Sequence, residues 1–315
     1  MRDGCVRRLA AFACGVLVCG AVASEPSSQL VRLSRALREV DYQGSLVYQH
    51  EGRTESLRLF HAAGSPERER LVSLSGALRE VVRADGQLVC RQGGAGAPLL
   101  SLGSEGSLLP LAPRLRAGDP GPDYRLVERG EDRVAGYVAQ VIELQACDEY
   151  RYGYRLWLER DSGLLLRAVL LGPGESPLEQ MMFVHLEIGA RPADVDLRLG
   201  GATDPPARSA AAETAFAGRE GWRFSALPRG FRIDSRLVAP GEAGGEHLLL
   251  TDGVATVSVY VEPSAAGAFG SPGVATRGAL SLFSRNLAAH RVLVLGTVPA
   301  RTVESIALAL ERAEP

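Results

Sequence analysis

The chain has 315 residues, a formal net charge of −2, and 46% hydrophobic and 23% charged residues, a composition typical of a globular protein long enough for two domains. The near-neutral charge gives no electrostatic argument for a nucleic-acid partner. All 35 basic residues are arginine, which excludes P-loop lysines, Schiff-base lysines and Ser–Lys dyads.

Residues 1–23 have the pattern of an export signal. Arginines open the segment, an apolar run over residues 9–22 follows, and an Ala-x-Ala cleavage site ends at Ala23. The run is shorter than the about 20 apolar residues that a transmembrane helix needs. We therefore predict a mature chain that begins at Ser24 and functions outside the cytoplasm.

Residues 24–189 form the first predicted domain. Apolar spacing over residues 27–40 predicts a helix, and many short strand-like runs separated by turns follow. Residues 93–122 are rich in Gly, Pro and Leu, which predicts either a short closing helix or a lid over a cavity. The predicted fold is mainly β within the α+β class: a curved, unclosed antiparallel β-barrel wrapped around helices.

Only two cysteines, Cys90 and Cys147, remain after the predicted cleavage. A cysteine pair in an exported protein suggests a disulfide, so we expect the two thiols on strands of one sheet and within bridging reach. The alternative is two buried free thiols, because sequence spacing does not show that they meet.

An antiparallel meander is predicted over residues 151–188. In its last run, Leu178, Met182, Val184, Leu186 and Ile188 share one face by alternation, and Met181 and Phe183 lie on the other. A sheet with apolar residues on both faces must either be packed against other elements on both sides or bind a hydrophobic ligand. We predict a hydrophobic ligand pocket whose lining is drawn from the following residues: Tyr152, Tyr154, Trp157, Met181, Phe183 and Leu108. Because faces alternate, Tyr152 and Trp157 line one pocket only if a bulge intervenes; the alternative is a sheet packed by its own helix.

Residues 190–220, rich in Pro, Gly and Ala, are a predicted linker. Residues 221–315 form the second predicted domain, a smaller α+β unit that ends in a helix over residues 300–312. At its start, arginines alternate with aromatic residues, a combination suited to partner recognition. We predict a partner-binding site from these residues: Trp222, Arg223, Arg229, Phe231, Arg232 and Arg236. The alternative for this cluster is a solvated strand edge.

No catalytic or metal-binding constellation is found in the sequence. No two of the five histidines have metal-ligand spacing, and Cys-x-x-Cys, G-x-S-x-G and a strand-to-helix G-x-G-x-x-G are missing. We predict a binding protein without cofactor or metal, not an enzyme.

The order of these features resembles the MucB/RseB family of periplasmic regulators of the envelope-stress (sigma-E/AlgU-type) sigma factor. The matching stretches are YQGSLVYQHEGRTESLRLFH (42–61), ALREVVRADGQLVC (77–90), RVAGYVAQVIEL (133–144), DEYRYGYRLWLERDSGLLLRAVLL (148–171), LEQMMFVHLEI (178–188), WRFSALPRGFRI (222–233), LLLTDGVATVSVYVEP (248–263) and VLVLGTVPARTVESIA (292–307). They cover nearly all of the predicted mature chain in family order.

The resemblance implies a first domain similar to the periplasmic lipoprotein carriers. It also implies that the protein binds the periplasmic segment of a membrane anti-sigma factor, shields that segment from proteolysis, and is released by a lipid-like signal such as lipopolysaccharide. The family supplies no catalytic residues. The competing hypothesis is a periplasmic lipid or lipoprotein carrier or chaperone, which would not need the second domain. The oligomeric state is left open, with a homo-oligomer among the alternatives.

Overall fold

The computed structural model of the chain describes residues 26–84, 87–92, 107–113, 120–199, 221–238, 245–263 and 273–313. The predicted export signal at residues 1–23 lies outside the described residues. So do residues 200–220 of the predicted linker and most of the leucine-rich stretch over residues 93–122.

The first described element is helix α1 (Pro26–Glu39), which confirms the helix predicted over residues 27–40. Leu30, Leu33 and Leu37 are buried, whereas Val31 between them is 49% exposed. This spacing places the apolar side of the helix in the core of the large sheet. No described helix is long and apolar enough to cross a membrane.

Ten antiparallel strands form one large sheet. They are β1 (Tyr42–His50), β2 (Arg53–Ala62), β3 (Arg68–Ser73), β4 (Arg79–Ala84), β5 (Gln87–Gln92), β6 (Tyr124–Val134), β7 (Tyr137–Ala146), β8 (Gly153–Glu159), β9 (Leu165–Leu171) and β10 (Pro177–Ile188). Their order is β5-β4-β3-β2-β1-β10-β9-β8-β7-β6, so two five-strand meanders meet where β1 pairs with β10. The outer strands β5 and β6 are not paired with each other, and the described sheet is therefore unclosed.

One face of this sheet carries the core of the first domain. Leu46 of β1 lies opposite Leu57 of β2 and Phe183 of β10, and all three are at most 1% exposed. Leu108 and Leu109, from the segment before β6, are buried in the same core. The sheet is thus packed on this face by α1 and by part of the leucine-rich stretch.

The predicted alternation in β10 is wrong in its first half. Met181 and Phe183 are buried, whereas Met182 and Val184 are 37% and 57% exposed. The cause is a bulge: consecutive residues of β1 pair with His185 and then with Phe183, so Val184 has no partner. An extra residue exchanges the two faces beyond it.

The predicted linker begins on the first domain. A 3₁₀ turn at Asp194–Leu197 lies against β2 and β3, and Leu197 is buried with Phe60 and Ala62. Arg68 forms an ion pair with Asp194 at 2.7 Å. Residues 190–199 are therefore held by the large sheet.

The described part of the second domain contains eight short strands and one helix. They are β11 (Trp222–Phe224), β12 (Arg232–Val238), β13 (Glu246–Thr251), β14 (Thr256–Pro263), β15 (Gly273–Arg277), β16 (Leu280–Leu287), β17 (His290–Gly296), β18 (Leu310–Arg312) and α2 (Ala300–Ala309). Six form a sheet in the order β12-β13-β14-β17-β16-β15, and β11 pairs with β18. The terminal helix is shorter than predicted, since residues 310–312 are a strand.

Helix α2 covers the six-stranded sheet. Val303 and Ile306 of the helix are fully buried in a core with Val257, Val259 and Val294 of the sheet. This core is separate from that of the first domain. The predicted fold class, a large unclosed antiparallel sheet followed by a smaller α+β domain, is confirmed.

The disulfide prediction is wrong. Cys90 lies in β5 and Cys147 follows β7, and both are free and exposed. The first cysteine belongs to an outer strand of one meander, and the second to the far end of the other. The two cysteines therefore do not form a disulfide in the structure.

Candidate functional site

The junction between the two domains is organised around Arg151, whose side chain is fully buried. Its guanidinium donates to both carboxylate oxygens of Asp148, at 2.9 and 3.0 Å, within the first domain. It also donates across the junction to Asp252 Oδ2 at 2.9 Å and to the carbonyl oxygen of Arg229 at 2.6 Å. A single side chain therefore binds partners in both domains.

Two aromatic rings lie beside this guanidinium. Tyr124 of the first domain and Phe231 of the second have ring centroids 5.5 and 5.4 Å from its central carbon. Burial opposes the charge of Arg151, but hydrogen bonds to Asp148 and the attraction of Asp252 prevail and raise its pKa. The cation is thus held by carboxylates and aromatic faces together.

A second contact joins the β15–β16 turn to the ends of β1 and β10. Arg277 Nε lies 2.7 Å from a carboxylate oxygen of Glu51. Ala279 is fully buried in the core of the first domain, and its amide binds Glu179. Glu179 also accepts a hydrogen bond from the Tyr48 hydroxyl at 2.5 Å. Burial raises the pKa of Glu179, against the opposing effect of the Tyr48 bond.

Helix α2 makes the third contact through its first turn. Thr302 Oγ1 donates to the carbonyl oxygen of Tyr150 at 2.7 Å. Arg301 forms an ion pair with Glu149 in the loop between β7 and β8. The second domain therefore rests on the strand ends of the first domain at three places.

Beside these contacts the two domains enclose an open groove of about 640 Å³, which we call the junction groove. Its apolar wall includes Leu144, Tyr152 and Leu171 of the first domain and Pro299 of the second. Charged side chains surround this wall; they are Glu143, Asp148, Glu149, Arg151, Glu175 and Arg301. An apolar strip with a charged rim suits a peptide segment better than a fully apolar ligand.

The carboxylates of the groove are not equivalent. Glu143 is buried and binds Arg129 at 2.9 Å and Arg155 at 2.8 Å. Burial opposes its ionisation, but these bonds prevail and lower its pKa to about 2. Glu175 and Glu149 have side chains that are 59% and 63% exposed, so they are accessible to a partner.

The residues predicted to line a hydrophobic pocket are distributed over three places. Met181, Phe183 and Leu108 are at most 2% exposed in the first core, and Tyr154 is buried there at 8% exposed. Tyr152 is half-buried and lines the junction groove. The junction groove includes none of the other five predicted residues, and the predicted pocket remains a prediction.

Trp157 lies on the opposite face of β8 from Tyr154, as strand alternation requires. Its indole N–H donates to Asp132 Oδ2 at 2.9 Å, and the Arg167 guanidinium lies 4.3 Å from its ring centroid. The ring is therefore already held between polar groups on the outer face.

The residues predicted to bind a partner also separate into two groups. Trp222 and Phe231 are 4% and 6% exposed and belong to the core of the second domain. Arg236 donates to the carbonyl oxygen of Trp222 at 3.0 Å, which stabilises strand β11. These three side chains support the domain from within.

The other three arginines of that prediction are exposed. Arg223 pairs with Glu311 at 2.8 Å within the second domain, and Arg232 is exposed at the start of β12. Arg229, although its side chain is 76% exposed, pairs with Asp123 of the first domain at 3.1 Å. Arg229, together with the Phe231 ring beside Arg151, thus connects the predicted cluster to the domain junction.

One described group has the composition of a metal site. Ligand atoms of His61, Glu67 and Glu69 lie within 4.8 Å of one another. However, Arg83 binds Glu67 at 2.5 Å and Glu69 at 2.7 Å, and the amide of Leu108 donates to Glu69 at 2.8 Å. The carboxylates thus neutralise an arginine and anchor the segment before β6, which is a structural use.

Sequence reasoning missed the residues that join the domains. The dipeptide Asp252-Gly253 is by itself typical of a hairpin turn, and the structure has such a turn between β13 and β14. The second use of Asp252, as the acceptor for Arg151, leaves no local pattern. The acidic residues just before Arg151 were the only available signal, and an adjacent acidic pair is common on exposed turns.

Two docked domains with a groove between them form a scaffold of the binding-protein class, with space for a partner segment. The MucB/RseB N-terminal domain matches residues 25–200, and the MucB/RseB C-terminal domain matches residues 217–311. The chain belongs to the MucB/RseB family.

Individual relatives agree with this assignment. The sigma factor AlgU regulatory protein MucB of Pseudomonas aeruginosa is 34% identical over 304 residues, which cover 91% of each chain. The sigma-E factor regulatory protein RseB of Haemophilus influenzae is 26% identical over 288 residues, 88% of each chain. The family consists of sigma-factor regulators, and this membership confirms the prediction of a regulator that is not an enzyme.

Solved structures of MucB share the arrangement. A crystal structure of MucB in complex with MucA(peri) superposes with a TM-score of 0.71 and 30% identity, covering 92% of this chain and 100% of that chain. A complex of Pseudomonas aeruginosa MucA/MucB superposes with a TM-score of 0.72 and 31% identity, over 93% of this chain and 100% of that chain.

Proposed function

We propose that this chain is an exported, periplasmic regulator that binds the periplasmic segment of a membrane anti-sigma factor. In this proposal, the bound segment is shielded from proteolysis, and a lipid-like stress signal releases it. The observation that carries the proposal is the MucB structure with MucA(peri), whose fold covers 92% of this chain at 30% identity. A sigma-factor regulator of this family would act through the same kind of partner.

The junction groove is the proposed place of binding. Both domains contribute to it, through Tyr152 and Leu171 on one side and Pro299 and Arg301 on the other. Partner interfaces combine a buried apolar centre with a polar rim, and the groove offers both. Residues 222–236 extend the proposed surface through the exposed arginines Arg223 and Arg232.

The release step is proposed to act through the first domain. Its apolar inner face is filled by α1 and by Leu108 and Leu109, and the latter pair sits on a short segment held by hydrogen bonds to Glu69. A segment anchored through one carboxylate is easier to displace than a strand of the sheet. An acyl chain that replaced these leucines would preserve apolar contacts in the core.

The binding proposal is tested by titrating the periplasmic segment of the cognate anti-sigma factor into the chain from Ser24 in a calorimeter. Pro173→Arg, at the exposed mouth of the groove, is expected to weaken binding at least about tenfold, a loss of about 1.4 kcal/mol. Val195→Arg is the matched control, since Val195 is 73% exposed at the opposite end of the strands. A segment that does not bind the unmodified chain would refute the proposed function.

Shielding and release are tested in the same system. The bound segment should resist a protease that cleaves it when it is free, and a lipopolysaccharide or fatty-acid micelle should restore cleavage. Cleavage that is equally fast with and without the chain would exclude shielding. Protection that persists at saturating lipid would exclude the release step alone.

A further inference from the structure

The two carboxylate oxygens of Asp252 accept hydrogen bonds from different domains. Its Oδ1 accepts hydrogen bonds from the amides of Val254 at 2.9 Å and Ala255 at 2.7 Å, which close the turn between β13 and β14. Its Oδ2 accepts from Arg151 at 2.9 Å and from the Tyr124 hydroxyl at 3.3 Å, both in the first domain. The side chain is completely buried.

This division makes Asp252 a rigid link. A side chain fixed by its own turn cannot rotate to follow a moving partner, so Oδ2 is held in one direction relative to the second domain. Hydrogen bonds to charged groups are about twice as strong as neutral ones, and they strengthen further away from water. A rotation of the second domain would leave two buried charges apart, which is costly.

The backbone around this contact also allows the two domains to approach closely. Gly230 has φ +80°, and a Cβ added there would lie 2.3 Å from Asp123 Oδ2. Only glycine therefore allows the 228–230 turn to reach the first domain, where the Arg229 carbonyl meets Arg151 at 2.6 Å. The polar contacts of Arg151 and Asp252 are thus matched by a backbone that fits only one docking geometry.

We propose that Asp252 is a positioning residue: its divided carboxylate holds the second domain at the orientation that forms the junction groove. Arg151, the residue it binds, also lines that groove. Pro299 and Arg301 line it from the second domain, so any rotation about this contact changes the width of the groove. The consequence for partner affinity rests on the proposed function; the orientation itself does not.

The substitution Asp252→Asn tests the orientation with little change of shape. The amide oxygen can still accept the two turn amides, whereas the amide nitrogen faces Arg151 and Tyr124 and offers no acceptor. Glu311→Gln is the matched control, an acid-to-amide change in the same domain at a partly exposed ion pair with Arg223. Circular dichroism and thermal unfolding first establish that each variant is folded.

The readout is the distance between the domains, measured by pulsed electron resonance in the chain from Ser24. One spin label is placed on Cys90 and another on Glu304→Cys, an exposed position of α2, with Cys147→Ser to leave two sites. We expect a narrow distribution in the parent and in Glu311→Gln, and at least a doubled width in Asp252→Asn. A distribution in Asp252→Asn that matches the parent overturns the proposal. If Asp252→Asn does not fold, Arg151→Met removes the charged donor to the same oxygen, and unchanged width there overturns the proposal equally.

A second arm measures binding of the anti-sigma segment. Affinity at least about tenfold lower in Asp252→Asn, with Glu311→Gln unchanged, supports a positioning role. A broadened distance distribution with parental affinity overturns the link to the groove. Failure of the parent itself to bind the segment refutes the proposed function, while the distance measurement still decides whether Asp252 sets the orientation.

Discussion

Replacing Arg151 by methionine should lower the stability of the protein more than any exposed arginine replacement. Methionine keeps an unbranched apolar side chain between Tyr124 and Phe231, so little cavity is created. The substitution removes the positive charge and all the hydrogen-bond donors of the guanidinium. Asp148 and Asp252 then face each other without a cation, and Asp252 is fully buried.

The size of this loss of stability follows from the burial of the ion pairs of Arg151. Removing one partner of a buried ion pair typically costs about 3–5 kcal/mol, because the remaining charge is left without compensation. A cation–π contact contributes about 0.5–1 kcal/mol at an exposed site and about 2 kcal/mol when desolvated, and the two contacts here are not independent of the ion pairs. We expect a loss of about 3–5 kcal/mol, concentrated in the transition that separates the domains.

Urea unfolding followed by tryptophan fluorescence provides the assay, since Trp222 and Trp157 report on different domains. Arg160→Met is the matched control: Arg160 binds both oxygens of Glu131, but the two side chains are 47% and 56% exposed. Exposed pairs contribute about 0–1 kcal/mol. Equal losses in the two variants would refute the argument that burial at the junction, and not the number of hydrogen bonds, determines stability.

Three further predictions concern other parts of the molecule. Leu30→Ala should cost about 2–5 kcal/mol in urea unfolding and Val31→Ala about 0.5 kcal/mol or less, since only Leu30 is buried; similar losses would contradict the helix orientation. Glu179→Gln should raise the melting temperature at neutral pH but not below pH 4.5. Burial raises the pKa of Glu179 in the folded chain above its ordinary value of 4.5, so the stability of the parent falls as the pH rises from 4.5 through the folded pKa. Cys90 and Cys147 should both react with a thiol reagent in the native chain without reductant. Cys90, although exposed, should react more slowly than free cysteine, since partial desolvation of its thiol raises its pKa; fewer than two reactive thiols would contradict the free, exposed state.

Elements with a strong periodicity of apolar residues could be predicted from the sequence. The three- and four-residue spacing of Leu30, Leu33 and Leu37 predicts α1 because a helix brings these residues onto one side whatever the rest of the chain does. The hairpin at Asp252 and Gly253 was predictable for a similar reason, since its turn chemistry is local. Such signals do not depend on distant residues.

The register of β10 could not be predicted in this way. Alternation assigns Met182 and Val184 to the same face as Leu186 and Ile188, but the bulge at Val184 is set by pairing with β1, about 140 residues earlier in the chain. A one-residue insertion in the pairing exchanges the faces, and no local feature of the strand marks it. The buried positions of Met181 and Phe183 follow from the partner strand.

The candidate site was least accessible to sequence reasoning. The cluster from Trp222 to Arg236 has the composition of an interface, yet its aromatic residues fill the core of a small domain that has few other large side chains. The junction depends on Arg151, at the start of a predicted strand, and on Asp252, in a hairpin turn, and the two are 101 residues apart. Docking of two domains has no periodicity, and its residues are found only when the folded surfaces are compared.

The order of strands in the large sheet has a consequence for how the chain folds. Every pairing in it joins neighbours along the chain except that between β1 and β10, where Gln49 and Gln180 are 131 residues apart. Each meander can form early, but Leu46 meets Phe183 only when the two halves join, and such long-range closure is slow. If the chain crosses a membrane N-terminus first, β1 presents an unpaired edge until β10 has followed. During that interval another chain can pair with the same edge, so a chain that crosses in this way is most prone to aggregate before its tenth strand arrives.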